Sequence, residues 1–322
     1  MKNSAETQSQ PLTAEEAAEK YSTTPVDVAI IGAGPAGYSA AINAANRGRS
    51  VIMLSGDYKN SYLYKASIVE NMPGLPGKSG AELLDAFRDH ALASGAVEVR
   101  AQVLMIMPFP TDDGSSLFQI ASGNNLLTAR SCILATGVSA FKPYPGEDKL
   151  LGRGVSYCAT CDGMLYRGKN VCVIGKSSDA VEEAIHLAKI GCHVHFFASA
   201  PDLKKWAGGL PENTFEEITA AAAFSIEGEQ TVTALIADGV RVPADGIFIL
   251  RASISPDALV PGIELENGYI RVSRNQESSV PGVFAAGDCT GKPLQIAKAL
   301  GEGLIAALSA DSFLSAQEAR PH

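Results

Sequence analysis

Val26-Asp27-Val28-Ala29-Ile30-Ile31-Gly32-Ala33-Gly34-Pro35-Ala36-Gly37 is the stretch on which the fold turns. Its first six residues form a branched, apolar run of the kind buried in a parallel sheet. The next six read G-x-G-x-x-G, and Tyr38 to Arg47 continues with an alanine-rich helical pattern. Strand, glycine turn and helix in that order predict a dinucleotide-binding βαβ start. The glycines let backbone approach a pyrophosphate, and the helix N-terminus offers N–H groups and a positive dipole end. Ser50 to Ser55 reads as the second strand. Many such folds end that strand on an acid that holds a ribose hydroxyl. Here Leu54 and Ser55 stand at its end, with Asp57 just beyond, a pattern that disfavours NAD at this site and accepts FAD.

The motif sits in a chain of 322 residues, 46% of them apolar, long enough for two ordinary domains. A net charge of −9 argues against nucleic acid, whose phosphates select a basic face. No apolar run reaches the ~18 residues of a membrane helix. Residues 1–25 are polar and lack the apolar centre of a signal peptide. Within them, Thr13 and Glu16 have capping-box spacing ahead of a short helix.

Outward from the glycine turn, Ala81 to Ser94 reads as an amphipathic helix. Val97 to Met107, Leu117 to Ala121 and Leu126 to Ala129 read as a small meander, and Cys132 to Leu134 as a buried strand running into Ala135-Thr136-Gly137. Phe141 to Arg153 reads as a linker. A second βαβ unit follows: Asn170 to Ile174, then Gly175-Lys176-Ser177-Ser178-Asp179-Ala180, a helix over Val181 to Ile190, and a strand over Cys192 to Ala198. Val232 to Ile236, Arg241-Val242 and Gly246 to Leu250 suggest a closing hairpin. Val283 to Asp288 returns to the apolar strand style, and Ile296 to Ala310 reads as a final helix.

Between the two units lies Tyr157-Cys158-Ala159-Thr160-Cys161-Asp162-Gly163. Two thiols at C-x-x-C spacing supply an attacking thiolate and a leaving sulfur within one turn of chain. Asp162, next in sequence, is a carboxyl that can give or take the thiol proton. The same spacing serves as half a zinc site, which needs two further ligands. Cys132, Cys172, Cys192 and Cys289 are scattered, and His186, His193 and His195 complete no ligand set, so redox chemistry is the stronger reading and no metal is expected. Cysteines this sparse do not build a secreted disulfide scaffold, and the chain reads as cytoplasmic.

Six motifs in order make the chain resemble the low-molecular-weight thioredoxin reductase family: Gly32 to Gly37, Val69-Glu70-Asn71-Met72-Pro73-Gly74, Ala135-Thr136-Gly137, Cys158 to Gly163, Glu182-Glu183-Ala184 and Gly282 to Asp288. The resemblance runs over residues 26–315. It implies an α/β fold of two Rossmann-like, three-layer ββα domains of the pyridine nucleotide-disulfide oxidoreductase type, the second inserted into the first. The expected FAD domain is 26–142 with 270–322, the redox domain 143–269, and 1–25 a polar extension. By the same resemblance Gly32, Gly34, Pro35, Ala36 and Gly37 line the FAD pyrophosphate. Asn71 lies near the flavin, Ala135, Thr136 and Gly137 border the cofactor, and Gly287 and Asp288 hold the ribityl chain. Gln295 and Ile296 stand beside the flavin ring, with Leu294 where an arginine is common. Cys158 and Cys161 are implied as the redox pair with Asp162 as acid, Cys161 nearer the flavin and Cys158 attacking thioredoxin. A homodimer is implied as well.

The second unit departs from the family. Lys176 and Ser177 replace glycines of its Gly-Gly-Gly-Asp-Ser-Ala motif. Ala198-Ser199-Ala200 stand where His-Arg-Arg pairs with the NADPH 2′-phosphate, which removes charge-assisted bonds. Arg251-Ala252-Ser253 replace a glycine-containing turn, and Lys59-Asn60-Ser61-Tyr62-Leu63 a Gly-Gly-Gln-Leu loop. This pattern resembles the ferredoxin-dependent flavin thioredoxin reductases, which keep FAD and the cysteines and drop NADPH. The expected activity is electron transfer from reduced ferredoxin through FAD to the Cys158–Cys161 disulfide and on to thioredoxin. Other readings are a diflavin disulfide oxidoreductase, a reductase with a weak NAD(P)H site, and a non-catalytic redox-sensing flavoprotein.

Overall fold

The computed structural model describes residues 11–319 except 57, 62, 112–115, 138–142, 158, 177–179, 212 and 252–253; the side chains at 60, 116, 160 and 161 are outside that set too. The chain divides into two compact units, Met1–Ser139 with Ser255–His322, and Ala140–Ile254. The second crossing falls at Ser255, ahead of the 270 expected, because the short helix Pro256–Leu259 packs on strand Met105–Pro110 of the first unit.

In the first unit the glycine-motif strand, Val26–Ile31, is central. Val51–Ser55 lies on one side and Asn125–Leu134 on the other, both parallel to it. Ile30 stands opposite Met53 and Ile133, so the three branched runs bury one another. The sheet continues through Val97–Arg100 to Leu12–Thr13 at one edge. At the other edge Ser116–Ser122 and Met105–Pro110 run antiparallel. The two expected strands at Leu126 to Ala129 and Cys132 to Leu134 are one continuous strand, Asn125–Leu134. Val283–Ala285 pairs with it in parallel. Thr13 and Glu16 close the expected capping box on helix Ala14–Tyr21. Helices Pro35–Ala45 and Ile296–Glu318 pack so closely that a Cβ on Gly303 would sit 2.2 Å from the Ala36 carbonyl oxygen.

The second unit carries a wholly parallel sheet in the order Glu217–Ala220, His193–Ala198, Asn170–Gly175, Gly246–Leu250, Val155–Ser156. Alternation along the strands builds two cores. Cys172, Ile174, Ile247 and Ile249 face an antiparallel layer of Phe224–Gly228, Val232–Ala237 and Val240–Pro243; Val171, Val173 and Phe248 face helix Ala180–Lys189. Gly246–Leu250 does not close the hairpin as expected. All five of its residues are buried, as in a strand covered on both faces, and it pairs with Asn170–Gly175. The expected linker contains helix Glu147–Leu150, whose first residue is fully buried. Trp206, expected at the surface, packs against the helix-side core.

Candidate functional site

The first unit builds its cradle from glycines that nothing else can replace. Gly32 ends the central strand at φ +117°, and a Cβ there would lie 2.2 Å from the Ala135 carbonyl oxygen. A Cβ on Gly37 would lie 2.0 Å from the carbonyl oxygen of Gly32. The turn is thus held tight against the Ala135-Thr136-Gly137 segment, where the Ala135 N–H donates to Ile31 at 2.8 Å. Gly34 is different: nothing lies within 4 Å of its Cβ direction. It is the N-cap of helix Pro35–Ala45, with Pro35 in the first turn and no side chain capping the end. That leaves helix N–H groups and their dipole directed at an open approach, which suits an anion.

Gly287 completes the cradle from the far end of the chain. It takes φ +85°, and a Cβ there would meet the Ala36 side chain at 2.8 Å. Asp288 follows in the turn Gly287–Thr290, half-buried. Burial raises its carboxyl above the usual carboxylate range; Lys298 opposes the rise and Glu302 adds to it. Lys298 Nζ donates to the Gly287 carbonyl at 2.8 Å, the Gly291 carbonyl at 2.7 Å and Thr290 Oγ1 at 3.0 Å. Glu302 Oε2 accepts from the Gly287 N–H at 2.8 Å. One i,i+4 ion pair on the last helix, 3.1 Å long, therefore fixes both ends of the Asp288 turn. At that helix's start, Asn71 Nδ2 donates to Gln295 Oε1 at 2.7 Å, one residue before Ile296. Gly32, Ala36, Gly37, Ala135 and Gly287 thus come together, carrying Gly34, Pro35, Thr136, Gly137 and Asp288 with them. An open glycine at a helix N-terminus beside a half-buried carboxylate fits a pyrophosphate with a polyhydroxyl chain, as FAD presents.

The redox stretch belongs to the second unit. Cys158 lies outside the described residues, as do the side chains of Thr160 and Cys161. Their surroundings are well defined. Ala159–Asp162 is a short helix, and Ser156 Oγ donates to Asp162 Oδ2 at 2.7 Å. The Ala159 N–H donates to Glu183 Oε2 at 3.3 Å, so the Glu182-Glu183-Ala184 motif serves the cysteine helix directly. Gly163 allows close packing, since a Cβ there would be 2.8 Å from Leu187 and from Ile190.

Open α/β sheets bind ligands beyond the carboxyl ends of their strands. In this sheet those ends carry Lys176, Arg251 and Tyr157. The Lys176 ammonium lies 5.3 Å from the centre of the Phe224 ring. Arg251 forms a two-pronged pair with buried Glu147, Nη1 to Oε1 at 2.5 Å and Nη2 to Oε2 at 2.9 Å. Its guanidinium also stands 4.7 Å from the Tyr144 ring centre. Glu147 accepts further from the Tyr144 N–H at 2.8 Å and the Tyr157 hydroxyl at 2.7 Å. Burial, then the bond to Glu147, pushes the Tyr157 phenol well above its usual range, so it remains a donor. Ser177, Ser178, Asp179, Ala252 and Ser253 lie outside the described residues. Ser199 caps helix Ala200–Trp206, its Oγ accepting from the Asp202 N–H at 3.3 Å.

Sequence reasoning missed Glu147, Lys298 and Glu302. The i,i+4 spacing of the last two was a usable signal; Glu147 gave none. Cys132, Cys172, Cys192 and Cys289 are free, buried thiols. Burial raises Cys172 to about 12 and Cys289 to about 11. Among the described residues no His, Cys, Asp and Glu cluster is placed to hold a metal, and no helix is long and apolar enough to cross a membrane.

Comparison with known proteins agrees with this geometry. Residues 26–303 match the family described as pyridine nucleotide-disulphide oxidoreductase. A thioredoxin reductase of Escherichia coli O157:H7 is 33% identical, over 88% of this chain and 95% of its own. Among solved structures, a ferredoxin-flavin thioredoxin reductase from Clostridium acetobutylicum is 35% identical with a TM-score of 0.81, covering 92% of this chain and 100% of its own. A thioredoxin reductase from Gloeobacter violaceus is 33% identical with a TM-score of 0.76, covering 94% and 98%.

Proposed function

The chain belongs to the pyridine nucleotide-disulphide oxidoreductase family, as a thioredoxin reductase-type flavin disulfide oxidoreductase, and from that premise we propose that it takes electrons from reduced ferredoxin rather than from NADPH. It passes them to the Cys158–Cys161 disulfide and on to thioredoxin, working as a cytoplasmic homodimer. The observation that carries the choice of donor is the contrast between the units. The first keeps an open glycine at a helix N-terminus. The second fills the carboxyl ends of its strands with its own side chains, Lys176 over Phe224 and Arg251 on Glu147. Likeness to a ferredoxin-flavin thioredoxin reductase supports the same donor.

Members of this family bind FAD, which when bound supplies the conversion between single electrons and an electron pair. The residues that would hold it are Gly32, Gly34 and Gly37 at the pyrophosphate, Asp288 at the ribityl chain, and Asn71 with Gln295 beside the ring. Lys298 and Glu302 keep the Asp288 turn in place. Reduction of the Cys158–Cys161 bond takes two electrons and two protons. Asp162 is the group in the motif suited to moving a proton to or from the thiols, its carboxylate oriented by Ser156. The Cys158 thiolate then attacks the thioredoxin disulfide, forming one mixed disulfide and releasing one thiolate. Cys161 attacks that bond in turn, which closes the protein's own ring and releases thioredoxin as a dithiol.

The test is turnover of thioredoxin with reduced ferredoxin under anaerobic conditions. Wild type should turn over, and Cys158→Ser should lose at least about a hundredfold while its flavin still reduces. A variant that keeps wild-type turnover, or that traps thioredoxin on Cys161 in the native manner, contradicts the assigned roles.

A further inference from the structure

The strand that leads into the cysteines is too short to place them. Val155–Ser156 is a two-residue edge strand, paired on one side with Gly246–Leu250. Edge strands this short leave the following loop poorly fixed by backbone bonds. Side chains must then hold it, and one of them is Tyr157, the residue before Cys158. Its hydroxyl donates to Glu147 at 2.7 Å.

Glu147 is a demanding anchor. Its side chain has no exposure and that of Arg251 only 6%. Two guanidinium bonds and the Tyr144 N–H already serve its two oxygens. The phenol is a further bond, and it is the one that joins this buried pair to the redox segment. Arg251 stands at the end of the neighbouring strand Gly246–Leu250, whose five residues are all buried. The anchor therefore rests on a central, covered part of the sheet, and the loop it holds rests on the edge. Removing either charge alone strands the other in the interior, which is strongly destabilising. Removing the phenol hydroxyl leaves the pair intact.

We infer that Glu147, held by Arg251, is the positioning residue of the redox loop: through the Tyr157 hydroxyl it fixes the residue before Cys158 and so sets where the Cys158–Cys161 pair stands for exchange. This rests on the reading of that pair as the redox centre. The ion pair then has two effects from one geometry. It fills the strand ends of the second unit, and it ties the catalytic segment to the part of the sheet that moves least.

The variant that separates positioning from stability is Tyr157→Phe, purified with its FAD. Wild type and variant are reduced anaerobically and freed of reductant. The rate of iodoacetamide alkylation is then measured at pH 8, alongside kcat and KM for thioredoxin. Loss of one hydrogen bond to a charged acceptor should speed alkylation about tenfold and lower kcat about tenfold, with KM unchanged. A purely structural role would lower the melting temperature and leave both rates at the wild-type value, and that result overturns the inference.

Should Tyr157→Phe fail to fold, two double variants replace it. Glu147→Gln with Arg251→Met removes both charges and keeps an acceptor for the phenol. Glu147→Leu with Arg251→Met removes the acceptor as well. The second should alkylate about tenfold faster than the first; equal rates overturn the inference. The underlying reading has its own readout. Reduction of wild type should expose two new reactive thiols. If none appear, the redox pair itself is lost and the inference with it; if two appear and Tyr157→Phe matches wild type, the positioning role alone is wrong.

Discussion

The two units use the same strand, turn and helix to opposite ends. In the first, Gly32 and Gly37 are jammed against backbone, and the one glycine with room, Gly34, opens outward from a helix N-terminus. In the second, Lys176 follows the strand, folds over Phe224, and has Arg251 and Glu147 as neighbours on the adjoining strand ends. A βαβ unit is a scaffold with a site at its switch point; it binds a ligand only where that point is left empty. A sheet can keep its packing and lose its site by growing side chains into it.

The largest effect that separates the units is expected at the glycines. Gly37→Ala forces a Cβ to within 2.0 Å of the Gly32 carbonyl oxygen, so the turn must shift. Bound flavin per chain, measured by absorbance after desalting, should fall at least about tenfold. Lys176→Ala, in the corresponding turn of the second unit, should leave flavin content and ferredoxin-driven turnover within about twofold, because an exposed-end substitution away from a site costs little. A Gly37 variant with full flavin, or a Lys176 variant without it, would break the contrast.

How far the sequence reveals this follows from distance along the chain. Gly32 to Gly37 and Cys158 to Asp162 are local patterns, and their chemistry is legible because the spacing itself is the mechanism. Asp288 is legible only through the family resemblance. Glu147 and Arg251 are 104 positions apart, and no local periodicity links them; the glutamate sits in a proline- and glycine-rich run that reads as linker. Gly246–Leu250 fails for a similar reason. A run of five apolar residues fits a hairpin arm or a fully covered central strand equally well, and only its partner Asn170–Gly175 decides.

A second, smaller contrast divides the thiols. Cys132, Cys172, Cys192 and Cys289 are buried in strands or turns of the two units. Burial keeps them protonated: Cys289 titrates near about 11 and Cys172 near about 12. A thiol whose pKa is raised is neutral and unreactive below that value, so all four should stay silent at pH 8. Native, reduced protein should therefore label at two of its six cysteines, and denatured, reduced protein at all six. Mass spectrometry of the labelled peptides checks the assignment; modification of Cys289 in native protein would contradict its packing.

The smallest effect concerns the donor's approach. A net charge of −9 repels an acidic electron carrier at long range, so docking needs cations gathered in one place. Lys59 and Lys65 lie in the loop that the family resemblance sets by the flavin. Reversing both charges should lower the second-order rate with reduced ferredoxin severalfold at low salt and spare reduction by dithionite. The difference should shrink as screening shortens to ~8 Å near physiological ionic strength. Unchanged ferredoxin kinetics would move the dock to Lys204 and Lys205.

The contrast between an open first unit and a filled second one is tested most directly by anaerobic reduction of the bound flavin, followed in a stopped-flow spectrometer with NADPH, NADH and reduced ferredoxin in turn. Reduced ferredoxin should bleach the flavin within the turnover time, and neither nucleotide should do so at saturating concentration. Rapid bleaching by NADPH or NADH, with ferredoxin inert, would show that the second unit still takes a nucleotide and would contradict the account.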